Sequence, residues 1–104
     1  MSDFESAVES WDKGNYPKAL ELVNRALDSQ PNHGEGWYLK ARIHRKLEQP
    51  HEALFAINRA VELATGKTTG DISAWILKLN ILTGLDKEAE AASFTKKGFE
   101  GFGE

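Results

Sequence analysis

Cysteine is absent from this chain, and the basic residues, 13 lysines and arginines, are outnumbered by 16 acidic ones. The first absence removes disulfides, thiolate zinc sites and cysteine nucleophiles together, although it does not fix the compartment. The second gives a net charge of -3 and a sequence pI of about 5.6, so a general pull toward nucleic acid or anionic lipid is not expected. Any basic surface must be local. No apolar run approaches membrane-spanning length. The start, Met1-Ser2-Asp3-Phe4-Glu5, lacks the basic residues and apolar stretch of a secretory signal. A cytoplasmic location is the resulting expectation. What remains, 104 residues with 40% hydrophobic and 28% charged content, has the size and balance of one globular domain able to bury a moderate core.

Self-comparison reveals a repeat. Offsetting the chain by 34 residues places Ala7 on Ala41, Ala19 on Ala53, Leu20 on Leu54, Asn24 on Asn58, Arg25 on Arg59 and Ala26 on Ala60. An offset of 38 places Trp37 on Trp75, Leu39 on Leu77, Lys40 on Lys78, Ile43 on Ile81 and Leu47 on Leu85. The third copy therefore carries four extra residues, located between Ala64 and Trp75.

Each copy reads as two helices with a short break. Ser2 and Glu5 form a capping box for the first helix, which Gly14-Asn15 ends. Pro17 lies in the first turn of the second, which Pro31 stops near Ser29. The next pair is predicted over residues 35–47 and 50–64, with Pro50 as a first helical residue. The last pair is predicted over residues 72–83, capped by Asp71, and over 87–97. No segment alternates with the period of a half-buried strand. In the second helices apolar residues recur three and four apart, as in Ala19, Leu20, Val23, Ala26 and Leu27. A single pair cannot cover its apolar face, so the copies must stack into a small solenoid.

The run Gly14-Asn15-Tyr16-Pro17-Lys18-Ala19-Leu20, the segments Asn24-Arg25-Ala26-Leu27 and Pro31-Asn32, and Trp37 with Ala41 and Ala53 resemble tetratricopeptide repeats. The resemblance covers most of the chain. It implies an all-α, right-handed α-solenoid of about three helix-turn-helix repeats, over residues 3–33, 34–67 and 71–104, with six helices. The third repeat is degenerate: Leu79 stands where the others have small alanines, and Gly98 replaces Ala26 and Ala60.

The letters Gly66-Lys67-Thr68 invite a nucleotide-binding reading, which fails twice. A phosphate-binding loop needs a further glycine five residues earlier, where this chain has Val61. The run also follows a helix and faces its negative end, whereas phosphate is held at a positive N-terminus. A turn is the better reading, with Gly66 in a left-handed conformation closing the helix and Lys67 meeting its last carbonyls.

Other chemistry is equally poorly supported. His33 falls in an inter-repeat turn, His51 starts a helix, and His44 precedes His51 by seven residues across a helix break, so no pair has metal-ligand spacing. His44 reads as a packing histidine. Acidic pairs such as Glu48/Glu52 lack an apolar pocket for general acid work. Ser6, Ser10, Ser29, Ser73 and Ser93 have neither a nucleophile-elbow context nor an adjacent base. The expectation is a non-enzyme with no cofactor and no metal.

By the family resemblance, the first helix of each pair lines a concave groove. The matching positions are Phe4, Val8, Trp11 and Asp12, then Tyr38, Arg42, Arg45 and Lys46, then Ile76, Asn80 and Thr83. Independently of the family, their three- and four-residue spacing puts each set on one helix face. Phe4, Val8 and Trp11 either pack inward or form an exposed apolar patch. The central set joins an aromatic ring to three cations, suited to carboxylates and to cation–π contacts. Chaperone-tail-binding members of the family carry a clamp with lysine and asparagine on the first helix; Phe4 and Val8 replace it here. The leading expectation is a non-catalytic protein- or peptide-binding module favouring acidic segments. The alternative is a self-associating, homodimer-forming scaffold pairing through apolar ends, where Phe4, Phe94, Phe99 and Phe102 lie. RNA binding is disfavoured, since one helix supplies too few phosphate contacts.

Overall fold

A computed structural model describes residues 1–66 and 68–85. Five α-helices follow one another: α1 (Asp3–Asp12), α2 (Tyr16–Ser29), α3 (Gly34–Lys46), α4 (Pro50–Leu63) and α5 (Thr69–Gly84). Among the described residues there is no strand. The sixth predicted helix, 87–97, and Lys67 lie outside the described residues.

Local signals account for the helix ends. Ser2 Oγ accepts from Glu5 N at 3.1 Å while Ser2 N donates to the Glu5 carboxylate at 3.4 Å, the reciprocal bonding of a capping box. Asn15 Oδ1 accepts from Lys18 N at 3.3 Å to cap α2, leaving Pro17 in the first turn. The start of α5 differs from the sequence expectation. Thr68, not Asp71, is the cap, its hydroxyl accepting from Asp71 N at 3.1 Å. Asp71 sits inside the first turn, where its carboxylate accepts from both the backbone and the hydroxyl of Thr65, at 3.0 and 2.7 Å. It thereby closes the loop made by the four-residue insertion. Gly66 is left-handed as expected, at φ +77°, but lies two residues beyond the Ala64 cap of α4.

The two α-hairpin turns are near copies. Gly14 and Glu48, 34 residues apart, are both left-handed, at φ +75° and +59°. Gly14 N donates to Trp11 O and Glu48 N to Arg45 O; Asn15 N donates to Ser10 O and Gln49 N to His44 O.

Each helix packs on the next, and α1 also touches α3. Helix α3 is central. It sends Leu39 and Ile43 into one core with Ala7, Ala19, Leu22, Val23 and Leu27, and Ala41 into another with residues from α4 and α5. Trp37 packs against both cores, and its indole N–H donates to Pro31 O at 2.7 Å. The second core is rich in alanine, with Ala41, Ala53 and Ala56 fully buried. Such small side chains let neighbouring backbones approach closely. His44 is buried as expected, and its Nδ1 lies 2.8 Å from Gln49 Oε1, a partner within the same hairpin.

Candidate functional site

The region between α1 and α3 is built from rings. Phe4, at the start of α1, meets the His33 ring at the start of α3 edge-on, with centroids 4.6 Å apart. Trp11, near the end of α1, meets Arg42, in the later half of α3, whose guanidinium carbon lies 4.5 Å from the ring centroid. Contacts start to start and end to end mean that α1 and α3 lie side by side and run the same way. The open question about Phe4, Val8 and Trp11 is thereby answered: all three are partly buried and pack against the first core. They are packed side chains and not a free apolar patch.

Arg42 is also 5.7 Å from the Tyr38 ring, so its guanidinium stands between two aromatic groups from two helices. Ring faces attract a cation through their quadrupole. This holds the charge in place without using its hydrogen-bond donors. Trp11, Arg42, Arg45 and Lys46 together line a cleft of about 340 Å³. Among the described residues the ion pairs are Lys13–Glu9, Lys18–Glu21, Arg25–Asp3 and Arg59–Glu62. None involves Arg42, Arg45 or Lys46. Three cations thus line one cleft without an ion-pair partner among the described residues, in a chain of net charge -3.

The remaining expected positions are placed less tightly. Asp12 is exposed at the end of α1. Ile76, Asn80 and Thr83 are exposed on α5, with Ile76 55% accessible, and the Thr83 hydroxyl donates to Leu79 O at 2.9 Å. They share a helix face but line none of the clefts around Arg42 described here.

Sequence reasoning overlooked two neighbouring features. A cleft of about 360 Å³ between the beginnings of α3 and α5 is lined by His33, Glu35, Tyr38, Thr68 and Asp71 among others. It carries two carboxylates, and its Tyr38 ring is the one that lies 5.7 Å from Arg42. Glu35 lies one helical turn before Tyr38, so the same spacing rule would have found it. His33 was read as a turn residue, yet its Nδ1 accepts from Gly36 N at 3.1 Å and caps α3. On another side, Lys40 lies 5.3 Å from the Trp37 ring in a cleft with Asn24, Asp28 and Pro31. Burial pulls its ammonium below the ordinary lysine pKa, and Asp28 partly opposes that shift. Among the described residues no group of three or more His, Cys, Asp or Glu side chains could hold a metal ion. No described helix is long and apolar enough to cross a membrane.

Comparison with known proteins bears on this geometry. Residues 34–66, covering α3 and α4, match the tetratricopeptide repeat family. An uncharacterized protein of Methanocaldococcus jannaschii is 34% identical over 55 residues, which make up 50% of this chain and 64% of the relative. The chain thus spans less than two thirds of that protein. Among solved structures, the first tetratricopeptide domain of Spaghetti (RPAP3), bound to the HSP90 peptide SRMEEVD, superimposes with a TM-score of 0.79. The match covers 94% of this chain and 76% of that one at 20% identity, a likeness of fold. Residues 34–66 thus match a tetratricopeptide repeat, and the helices around them share the fold of a tetratricopeptide domain nearly end to end.

Proposed function

We propose that this chain is a non-catalytic module that binds a protein or peptide segment along the face formed by α1, α3 and α5, and that Arg42, Arg45 and Lys46 favour acidic segments. The frame for this reading is a right-handed solenoid of six helices with a degenerate third repeat. The observation that carries it is the cleft lined by Trp11, Arg42, Arg45 and Lys46, whose three cations form no ion pair among the described residues. Cations without partners on an acidic protein keep their charge available for a ligand, and guanidinium groups match carboxylates in two-point geometry. The solved neighbour holds a peptide on the same fold. The chaperone-tail clamp is not proposed here, since Phe4 and Val8 stand at its first positions.

The double variant Arg42→Glu, Arg45→Glu tests the reading. Capture of partners by tagged protein should be abolished while helical circular dichroism is unchanged. Undiminished capture rejects the assigned surface. A second reading, self-association, is favoured by Ile72 and Ile76, one helical turn apart on α5 and 42% and 55% accessible. Phe4 does not serve it, being packed on His33. Sedimentation at micromolar concentration decides: a strict monomer rejects it.

A further inference from the structure

We infer that the cleft lined by Trp11, Arg42, Arg45 and Lys46 is a phosphoryl subsite, taking the dianionic phosphate of a phosphorylated side chain in the bound segment. This rests on the peptide-binding reading above and specifies which anion the groove takes.

The first argument is charge. Three cations share a cleft of about 340 Å³, and none is ion-paired within the described residues. One carboxylate neutralises one of them and leaves two like charges facing each other. A phosphate monoester carries about -1.5 to -2 at neutral pH and offers three strong acceptor oxygens, so it meets the excess more fully. The second argument is donor count. Each guanidinium has five N–H donors and the ammonium three, and neither arginine uses any of them in a bond within the described residues. A tetrahedral anion presents three oxygens in different directions to all three side chains, whereas a carboxylate gripped two-point by one arginine keeps only its remaining in-plane lone pairs for the other two. The third is preorganisation. Arg42 is already held between Trp11 and Tyr38, so less side-chain freedom is lost when it binds.

The surroundings identify the source of the phosphate. The cleft between the beginnings of α3 and α5, lined by the Tyr38 ring that Arg42 approaches, carries Glu35 and Asp71, and exposed Asp12 follows Trp11 directly. A strand with a charge on every nucleotide meets repulsion from these carboxylates as it runs along the α1 and α3 face, while an isolated phosphorylated residue does not. The volume is near the lower end of ligand cavities, which run from about 300 to 1,000 Å³. One phosphoryl group and its side-chain stem fit such a space.

Fluorescence anisotropy on the full chain tests this with one labelled, glutamate-rich peptide made with serine, aspartate or phosphoserine at its centre. The phosphoserine form should bind about tenfold tighter than the aspartate form, the gain from one or two added charge-assisted bonds. Arg45→Gln, or Lys46→Gln, at exposed positions outside the core, should erase most of that preference with circular dichroism unchanged. Equal binding of the aspartate and phosphoserine forms overturns the phosphoryl assignment and leaves the acidic-segment reading standing. Equal binding of a neutral peptide of the same length, or no binding of any form, overturns both. An oligouridylate that binds more tightly than the phosphoserine peptide assigns the cleft to nucleic acid and also overturns it.

Discussion

Glu48 occupies a backbone position that its repeat counterpart fills with glycine, and exchanging the two residue types gives a sharp test of the hairpin geometry. Both turns have the same left-handed residue and the same pair of closing hydrogen bonds. A residue with a Cβ loses about 1–2 kcal/mol in that conformation. Replacing it by glycine returns the loss but frees the unfolded chain, at about 0.4–1 kcal/mol. Glu48→Gly should therefore stabilise the protein by about 0.5–1 kcal/mol. It also removes a negative charge from the end of α3, where the helix dipole is already negative. The reciprocal change, Gly14→Ala, should destabilise by a similar amount. A Cβ added at Gly14 would have nothing within 4 Å, so steric clash does not contribute. Urea denaturation of the parent and both variants measures this, and thermal melts should move by a few degrees in opposite directions. If Glu48→Gly destabilises, or if Gly14→Ala is neutral, the left-handed assignment of these turns is wrong.

Ala41→Leu should cost roughly 1–3 kcal/mol in the same assay, because fully buried Ala41 sits in the alanine-lined contact of α3 with its neighbours; a neutral result would mean the contact is misplaced. His33→Ala should cost about 1 kcal/mol through loss of the α3 cap, and His33→Asn should recover most of it, since asparagine also caps well. Lys40, with its pKa lowered chiefly by burial, binds its proton less tightly folded than unfolded, so stability should rise with pH through the alkaline window just below the ordinary lysine pKa. Lys40→Met should flatten that rise and raise neutral-pH stability by less than about 1 kcal/mol, the lost cation–π contact with Trp37 offsetting part of the gain. Denaturation midpoints measured across that window in both proteins check the sign.

Most helix limits were legible because the chain marks them locally. Ser2 with Glu5, Gly14-Asn15, Pro17 and Pro50 each act through bonds or steric limits within a few residues. The start of α5 was misread for a local reason too. Thr68-Thr69-Gly70-Asp71 has the form of a capping sequence, but Gly70 and the preceding glycine-lysine letters suggested a turn that continued to Asp71. His33 was missed as a cap because imidazole is outside the usual short oxygen-bearing set, although its Nδ1 does the same work. The orientation of Phe4, Val8 and Trp11 could not be read locally. Phe4 and Trp11 are turned by partners far along the chain, His33 and Arg42, and only the packing of α1 on α3 brings these together. The convergence of Arg42, Arg45 and Lys46 was legible from helical spacing. That Trp11 would join them was not.

Two aromatic staples fasten the first hairpin to the second, one at His33 and one at Arg42. Since Arg42 also belongs to the proposed binding surface, a ligand that draws its guanidinium away from Trp11 slackens one fastening, and a ligand that leaves it seated tightens the joint. Binding strength and the packing of one hairpin on the other are then thermodynamically linked. A change at Phe4 or His33, remote from the cationic cleft, would accordingly alter affinity without touching the ligand.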